Sequence, residues 1–359
     1  MKLFKSLLVA PATLGLLAPM TASANEVTIN DFNAAEEIAV TNSRVDGLEA
    51  RFNDLEAGSF SETTTASFGV DFLVGAVDGA TNEKTTFDYQ MGIGLETSFT
   101  GEDALSATID IGNASSFIGG TDGLNFDGTS DALKLDGLTY TFPLGGATVM
   151  VGDNTDISAV YTGACAYSSF TDYMGNCGTG NSVGIGGKGV TAAASYAFDS
   201  GFSLAGGISA TQVDDNGVIT GLLTKEGTDI YGIEAAYTAD SWGVSVGYAD
   251  DETKTYWGIN GTYAFDALSI SAGVESEDSG SATAEGFFVG VSFPEVGAGS
   301  LDIGMGTTGN FADSDPEYYI YEASYSYPIN DGMTITPGIY LREGSTDLTG
   351  VAVKTSFSF

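Results

Sequence analysis

The chain has 359 residues, with 48 Asp and Glu against 11 Lys and Arg, a formal net charge of -37, and no His. So acidic a chain offers no clustered cations for phosphate, which excludes nucleic acid as a partner. Without His, neither a histidine-based catalytic triad nor a histidine metal site is available, and 43% hydrophobic residues is too apolar a composition for simple disorder.

Residues 1–24 read as a signal peptide. Lys2 and Lys5 precede an apolar stretch from Leu7 to Met20, and Ala22-Ser23-Ala24 supplies a small-residue cleavage site. A retained membrane helix is the alternative, but Pro11, Gly15 and Pro19 interrupt the run. No later stretch approaches the roughly 18 apolar residues that a spanning helix needs. The exported chain is therefore either soluble or a membrane barrel.

Residues 25–58 change character. Ile38, Thr41, Val45, Leu48, Phe52 and Leu55 fall at alternating a and d positions of a heptad, with Arg44 and Arg51 at g and Glu49 and Glu56 at e. The pattern predicts a coiled-coil helix of roughly 40 Å, weakened at Gly47 by about 1 kcal/mol relative to Ala. A single amphipathic helix lying on its own domain is the other reading. The regular seam and flanking charges of both signs favour self-association.

From residue 59 to the end the period changes from seven to two. Sixteen strands are predicted, at 60–77, 84–99, 104–112, 131–142, 145–152, 188–199, 201–211, 228–239, 241–250, 254–265, 267–275, 283–293, 299–307, 317–328, 331–342 and 347–359. The last one shows the scheme: Val351, Val353, Thr355, Phe357 and Phe359 share one face, Ala352, Lys354, Ser356 and Ser358 the other. Apolar outward and polar inward, strand after strand, is the pattern of a 16-stranded antiparallel outer-membrane β-barrel. Connections alternate between short ones, such as Pro143-Leu144 and Pro294 to Gly297, and long ones carrying acids, such as Asp250 to Glu252, Glu275 to Asp278 and Asp313 to Glu317. Before the short turns the outward face repeats aromatic pairs: Tyr140 and Phe142, Tyr196 and Phe198, Tyr263 and Phe265, Tyr325 and Tyr327, Phe357 and Phe359. Aromatic rings at one height mark a headgroup boundary.

With the outward face set, subtraction gives the pore-lining positions: Asp71, Asp88, Gln90, Glu96, Glu234, Asn260, Asp302, Glu322, Arg342 and Lys354. Ionisable groups at mid-strand are costly against lipid and ordinary in a water-filled lumen. Acids outnumber bases, so cations should be enriched. The longest loop, Asp153 to Gly187, holds both cysteines, Cys165 and Cys177, expected to form a disulfide in an exported protein. It carries Tyr161, Tyr167, Phe170 and Tyr173. It either folds inward and narrows the pore or caps the outside or a neighbouring barrel; inward folding is favoured because sixteen strands otherwise leave a wide hole. Asp153-Asn-Thr-Asp156 lacks the rest of a Ca²⁺ loop, so no metal, cofactor or enzymatic site is expected.

The segment Val45-Asp-Gly-Leu-Glu-Ala-Arg-Phe-Asn-Asp-Leu-Glu56, the junction Phe60-Ser-Glu-Thr-Thr-Thr65, Tyr140-Thr-Phe-Pro-Leu-Gly-Gly146 and the Cys165 to Cys177 loop together resemble the cyanobacterial outer-membrane porins grouped with carbohydrate-selective and iron-uptake porins. The resemblance implies homotrimeric channels in outer-membrane lipid that pass small hydrophilic solutes and inorganic ions, with the N-terminal helix in the periplasm. Many such porins carry a surface-layer-homology domain before the coiled coil. Residues 25–33 leave no room for one, so cell-wall binding does not carry over. A solute-specific channel for a sugar or an iron or metal complex, and an envelope protein with a plugged barrel, are the alternative functions.

Overall fold

Strict alternation between an apolar and a small or polar side chain gives each strand two unlike faces. The computed structural model turns that alternation into a closed wall. It describes residues 64–80, 83, 85–114, 128–171, 189–210, 221–225 and 227–359. The signal peptide, the predicted helix with Ile38, Thr41, Val45, Leu48, Phe52 and Leu55, and Cys177 lie outside the described residues.

The strands are β1 Thr64–Asp78, β2 Thr85–Thr97, β3 Ala104–Gly112, β4 Lys134–Leu144, β5 Ala147–Thr155, β6 Gly189–Ala197, β7 Phe202–Ala210, β8 Asp229–Thr238, β9 Trp242–Asp250, β10 Thr255–Ala264, β11 Ser269–Asp278, β12 Thr283–Val296, β13 Gly299–Thr307, β14 Phe311–Ala312, β15 Tyr319–Asn330, β16 Met333–Arg342 and β17 Leu348–Ser358. β14 is a two-residue clip on β12; the other sixteen form the barrel. Each pairs antiparallel with its neighbours, and β1 pairs with β17 from Gly69↔Ser358 to Asp78↔Thr349. The last residue finishes the seam: Phe68 N–H donates to the Phe359 carbonyl at 2.9 Å, and Phe359 N–H returns to Phe68 at 3.0 Å. No strand edge is left for lipid, where an unpaired backbone group is costly.

Burial runs the opposite way from a soluble protein. On β9, Trp242, Val244, Val246 and Tyr248 are exposed, whereas Ser245, Gly247 and Ala249, which alternate with them, are buried. The same inversion repeats at Tyr231 and Ile233, at Trp257 and Ile259, and at Ile339 and Leu341. A continuous exposed apolar band of this kind needs a partner, and its strand-by-strand form is the outer surface of a membrane barrel. At the short-turn end the rings touch: Tyr140 and Phe142 at 5.5 Å, Tyr196 and Phe198 at 4.6 Å, Tyr263 and Phe265 at 4.6 Å between centroids.

Several boundaries differ from the sequence expectation, and three show why. Pro143 and Leu144 belong to β4, and the turn is Gly145-Gly146, with Gly145 at φ +65°. Pro294 likewise lies inside β12, and the turn follows at Gly297, φ +67°. A proline at a strand end gives up only one donor, while the tight hairpin selects the glycine that can take positive φ. At the other end, Glu275 to Asp278 continues β11, and the β9–β10 and β11–β12 connections are four-residue turns, Asp251 to Lys254 and Ser279 to Ala282. The Asp251 carboxylate accepts from the N–H groups of Thr253 and Lys254, so an acid that reads as loop is the residue that closes the turn.

Candidate functional site

The inward face is crossed by the segment that follows β5. Asp156 caps a short 3-10 turn, Ile157–Val160, by accepting the Ser158 N–H at 2.7 Å. Ile157 is buried with Met150, Ala193 and Ile230 and pins the turn to the wall. Tyr161 is extended (φ -77°, ψ 146°), and from it every third side chain lies over a wall glycine. Tyr161 covers Gly232, Ala164 covers Gly243, Tyr167 covers Gly290 and Phe170 covers Gly338. The fit is close: a Cβ on Gly290 would stand 2.3 Å from the Tyr167 ring, and one on Gly338 would stand 2.4 Å from the Phe170 ring.

The side of the wall follows from parity. Gly232, Gly243, Gly290 and Gly338 alternate along their strands with the exposed Tyr231 and Ile233, Trp242 and Val244, Val289, and Ile339. The segment that covers these glycines therefore runs on the face opposite the apolar band. There Tyr167 joins one buried cluster with Leu73, Phe288, Ile320, Tyr340 and Leu348, drawn from five strands.

Wall side chains hold the backbone of this segment. Glu234 accepts the N–H groups of Thr162 at 2.7 Å and Gly163 at 2.9 Å. Gly163 has φ +61°, which turns two successive N–H groups the same way and makes an anion-binding hollow. Asn260 accepts Ala164 N–H at 3.1 Å, and Thr262 accepts Ala166 N–H at 2.9 Å. Glu322 accepts four donors: Tyr167 OH at 2.9 Å, Phe170 N–H at 2.8 Å, Thr171 N–H at 2.9 Å and Thr171 Oγ1–H at 2.5 Å. Burial of both loop tyrosines, aided by the carboxylates nearby (Glu234 and Asp156 for Tyr161, Glu322 for Tyr167), drives their hydroxyl pKa values well above the usual range. Both stay neutral, and Tyr167 donates to Glu322.

The ten positions read from the sequence as lining the lumen all fall on the face opposite the apolar band, but they are not alike. Glu234, Glu322 and Asn260 are buried under the segment they hold. Asp302 is buried and accepts a hydrogen bond from Ser292. Asp71 accepts from the Gln90 amide at 2.8 Å, Asp88 is buried, and Glu96 is exposed. Lys354 stands opposite Leu73 in the β1–β17 ladder, and Arg342 opposite Leu348. Cys165 packs, half-buried, against the Tyr167 cluster. Sequence reasoning missed Thr162, Gly163 and Thr171, and the wall glycines Gly232, Gly243, Gly290 and Gly338. The glycines left a trace: on β8, β9, β12 and β16 they occupy inward positions where a polar side chain was the expectation.

Among the described residues no group of three or more Cys, Asp or Glu converges as metal ligands, and no helix is long and apolar enough to cross a membrane. No family model matches the chain. An uncharacterized protein of Nostoc sp. is 39% identical over 114 residues, 31% of this chain and 19% of that protein. The chain thus spans about a fifth of the length of the curated relative it matches. Similar solved structures are Pseudomonas putida OprB (TM-score 0.63, 11% identity, 83% of this chain and 94% of that one), an anion-selective porin from Comamonas acidovorans (0.60, 14%, 83% and 99%) and a mutant of the Rh. blastica porin (0.58, 16%, 82% and 100%). This is a porin-like barrel. At these identities the likeness concerns the fold, and the porin-like barrel of this chain takes its chemistry from its own residues.

Proposed function

We propose that the protein is an outer-membrane porin through which small hydrophilic solutes and inorganic ions diffuse passively, with a mild preference for cations. The observation that carries this reading is that the inward segment does not cover the whole wall. Inward-facing Ser67 on β1, Glu96 on β2, Thr108 on β3 and Thr148 on β5 are exposed, as expected of a water-filled path beside the segment and not of a plugged barrel. Asp71, Asp88, Gln90, Glu96, Arg342 and Lys354 then border the lumen, with acids in excess. Export by the 1–24 signal, a homotrimer whose periplasmic helices meet along the Ile38 to Leu55 seam, and a Cys165–Cys177 bond that staples the inward segment belong to the same reading.

Swelling of liposomes containing the folded protein tests it. Small neutral sugars should enter at rates that fall with solute size. Protein that is heat-modifiable, and therefore folded, yet admits no solute would support the plugged envelope barrel instead.

A further inference from the structure

The sequence counts Glu234 and Glu322 among the pore-lining acids that would enrich cations. Their surroundings say otherwise. A carboxylate has about four lone-pair sites, and Glu322 has four donors upon it, all from residues 167–171. Glu322 is 3% exposed and Glu234 is 1% exposed. Glu234 meets Thr162 and Gly163, near the start of the same stretch. The two acids therefore grip the segment near its two ends, with Asn260 and Thr262 between. Neither presents an oxygen to passing ions.

We propose that Glu234 and Glu322 are positioning residues: they clamp the 161–171 segment to the wall and so set the open cross-section of the lumen, while taking no part in discriminating ions. This rests on the porin reading above. The negative field along the path then comes from acids on the uncovered wall, of which Glu96 is exposed. Replacement of Glu322 by Gln puts an amide NH2 where an acceptor stood, facing the N–H and O–H donors of Tyr167, Phe170 and Thr171. Thr171→Val and Tyr167→Phe remove donors from the same clamp and leave the Glu322 charge in place.

Single-channel recording in planar bilayers separates clamp from filter, with a KCl gradient to read ion preference. For Glu322→Gln, Glu234→Gln and the Thr171→Val/Tyr167→Phe double variant, the expected result is loss of the steady open level. Fluctuations should increase and the mean conductance should rise, with the reversal potential of the wild type retained. The inference is overturned if Glu322→Gln conducts as quietly as the wild type, or if its reversal potential moves towards zero while that of the donor variants does not. Should the Gln variants fail to assemble, the donor variants alone decide: quiet, wild-type-like openings from them refute the clamp. A wild-type protein that passes no current refutes the porin reading itself, whereas conducting wild type with unaltered variants refutes only the clamp.

Discussion

A single carboxylate shows how much one side chain can organise. Asp103 closes the β2–β3 turn. Its Oδ1 accepts from Ser98 Oγ, Phe99 N–H, Thr100 N–H and Thr100 Oγ1, and its Oδ2 accepts from the Tyr140 hydroxyl at 2.7 Å. The turn is thereby tied to the ring stack of the aromatic belt. Burial opposes ionisation of Asp103, but the hydrogen bonds from Thr100, Tyr140 and Ser98 outweigh it and hold the carboxyl well below the usual range. A group whose folded pKa is depressed contributes stability that is fully present above its unfolded value, about 4, and lost only as pH falls through the folded value. Asp103→Asn should therefore lower the thermal unfolding temperature at neutral pH, and the gap to wild type should persist at pH 4 and narrow only in stronger acid. A gap that closes with an ordinary carboxylate midpoint would contradict this. Gly338 makes a steric prediction at the same scale. Because a Cβ there meets the Phe170 ring at 2.4 Å, Gly338→Ala should destabilise by about 1–3 kcal/mol, measured by denaturant unfolding in micelles. Gly309→Ala, with nothing within 4 Å, should be neutral.

Among the elements, the strands were the legible part of the sequence, because a period of two runs along them and the outward face meets a single environment. Thus Val351, Val353 and Phe357 declare the outward side of β17 without any knowledge of its neighbours. Strand ends were less legible where polarity and structure part company, as at Pro143, Pro294 and Glu275 to Asp278. Inward folding of the segment was the favoured reading, from the width of a sixteen-strand barrel, but its contacts were not legible. Its partners lie far off in the chain, Glu322 some 152 residues from Phe170, and no local periodicity encodes such a pairing. The role of Glu234 and Glu322 changed for that reason: inward parity could be read, whereas occupancy by the segment could not. Closure of the barrel depends on an equally distant contact. Phe359 shares two backbone hydrogen bonds with Phe68 and stacks on its ring at 5.7 Å. Two such bonds and one ring pair are together worth about 2–4 kcal/mol. Deleting Phe359 should lower unfolding stability by that order in urea titrations, and an unchanged midpoint would show that the seam is secured elsewhere.

For the molecule as a whole, the apolar band, the belt of rings and the closed ladder explain how so acidic a chain suits a lipid surround: among the described residues the charges lie in the turns, at the strand ends and on the inward face. The clamp removes Glu234 and Glu322 from the electrostatics of the path, so any cation preference should be moderate and sensitive to salt, since exposed charges are screened over about 10 Å at 0.1 M and about 3 Å at 1 M. The most direct test is the reversal potential of the wild-type protein in a tenfold KCl gradient. A water-filled lumen with an excess of wall acids predicts open-channel current with a cation-selective sign, larger at low salt and shrinking towards zero near 1 M. Absence of current from folded protein, or a potential of anion-selective sign, would contradict it.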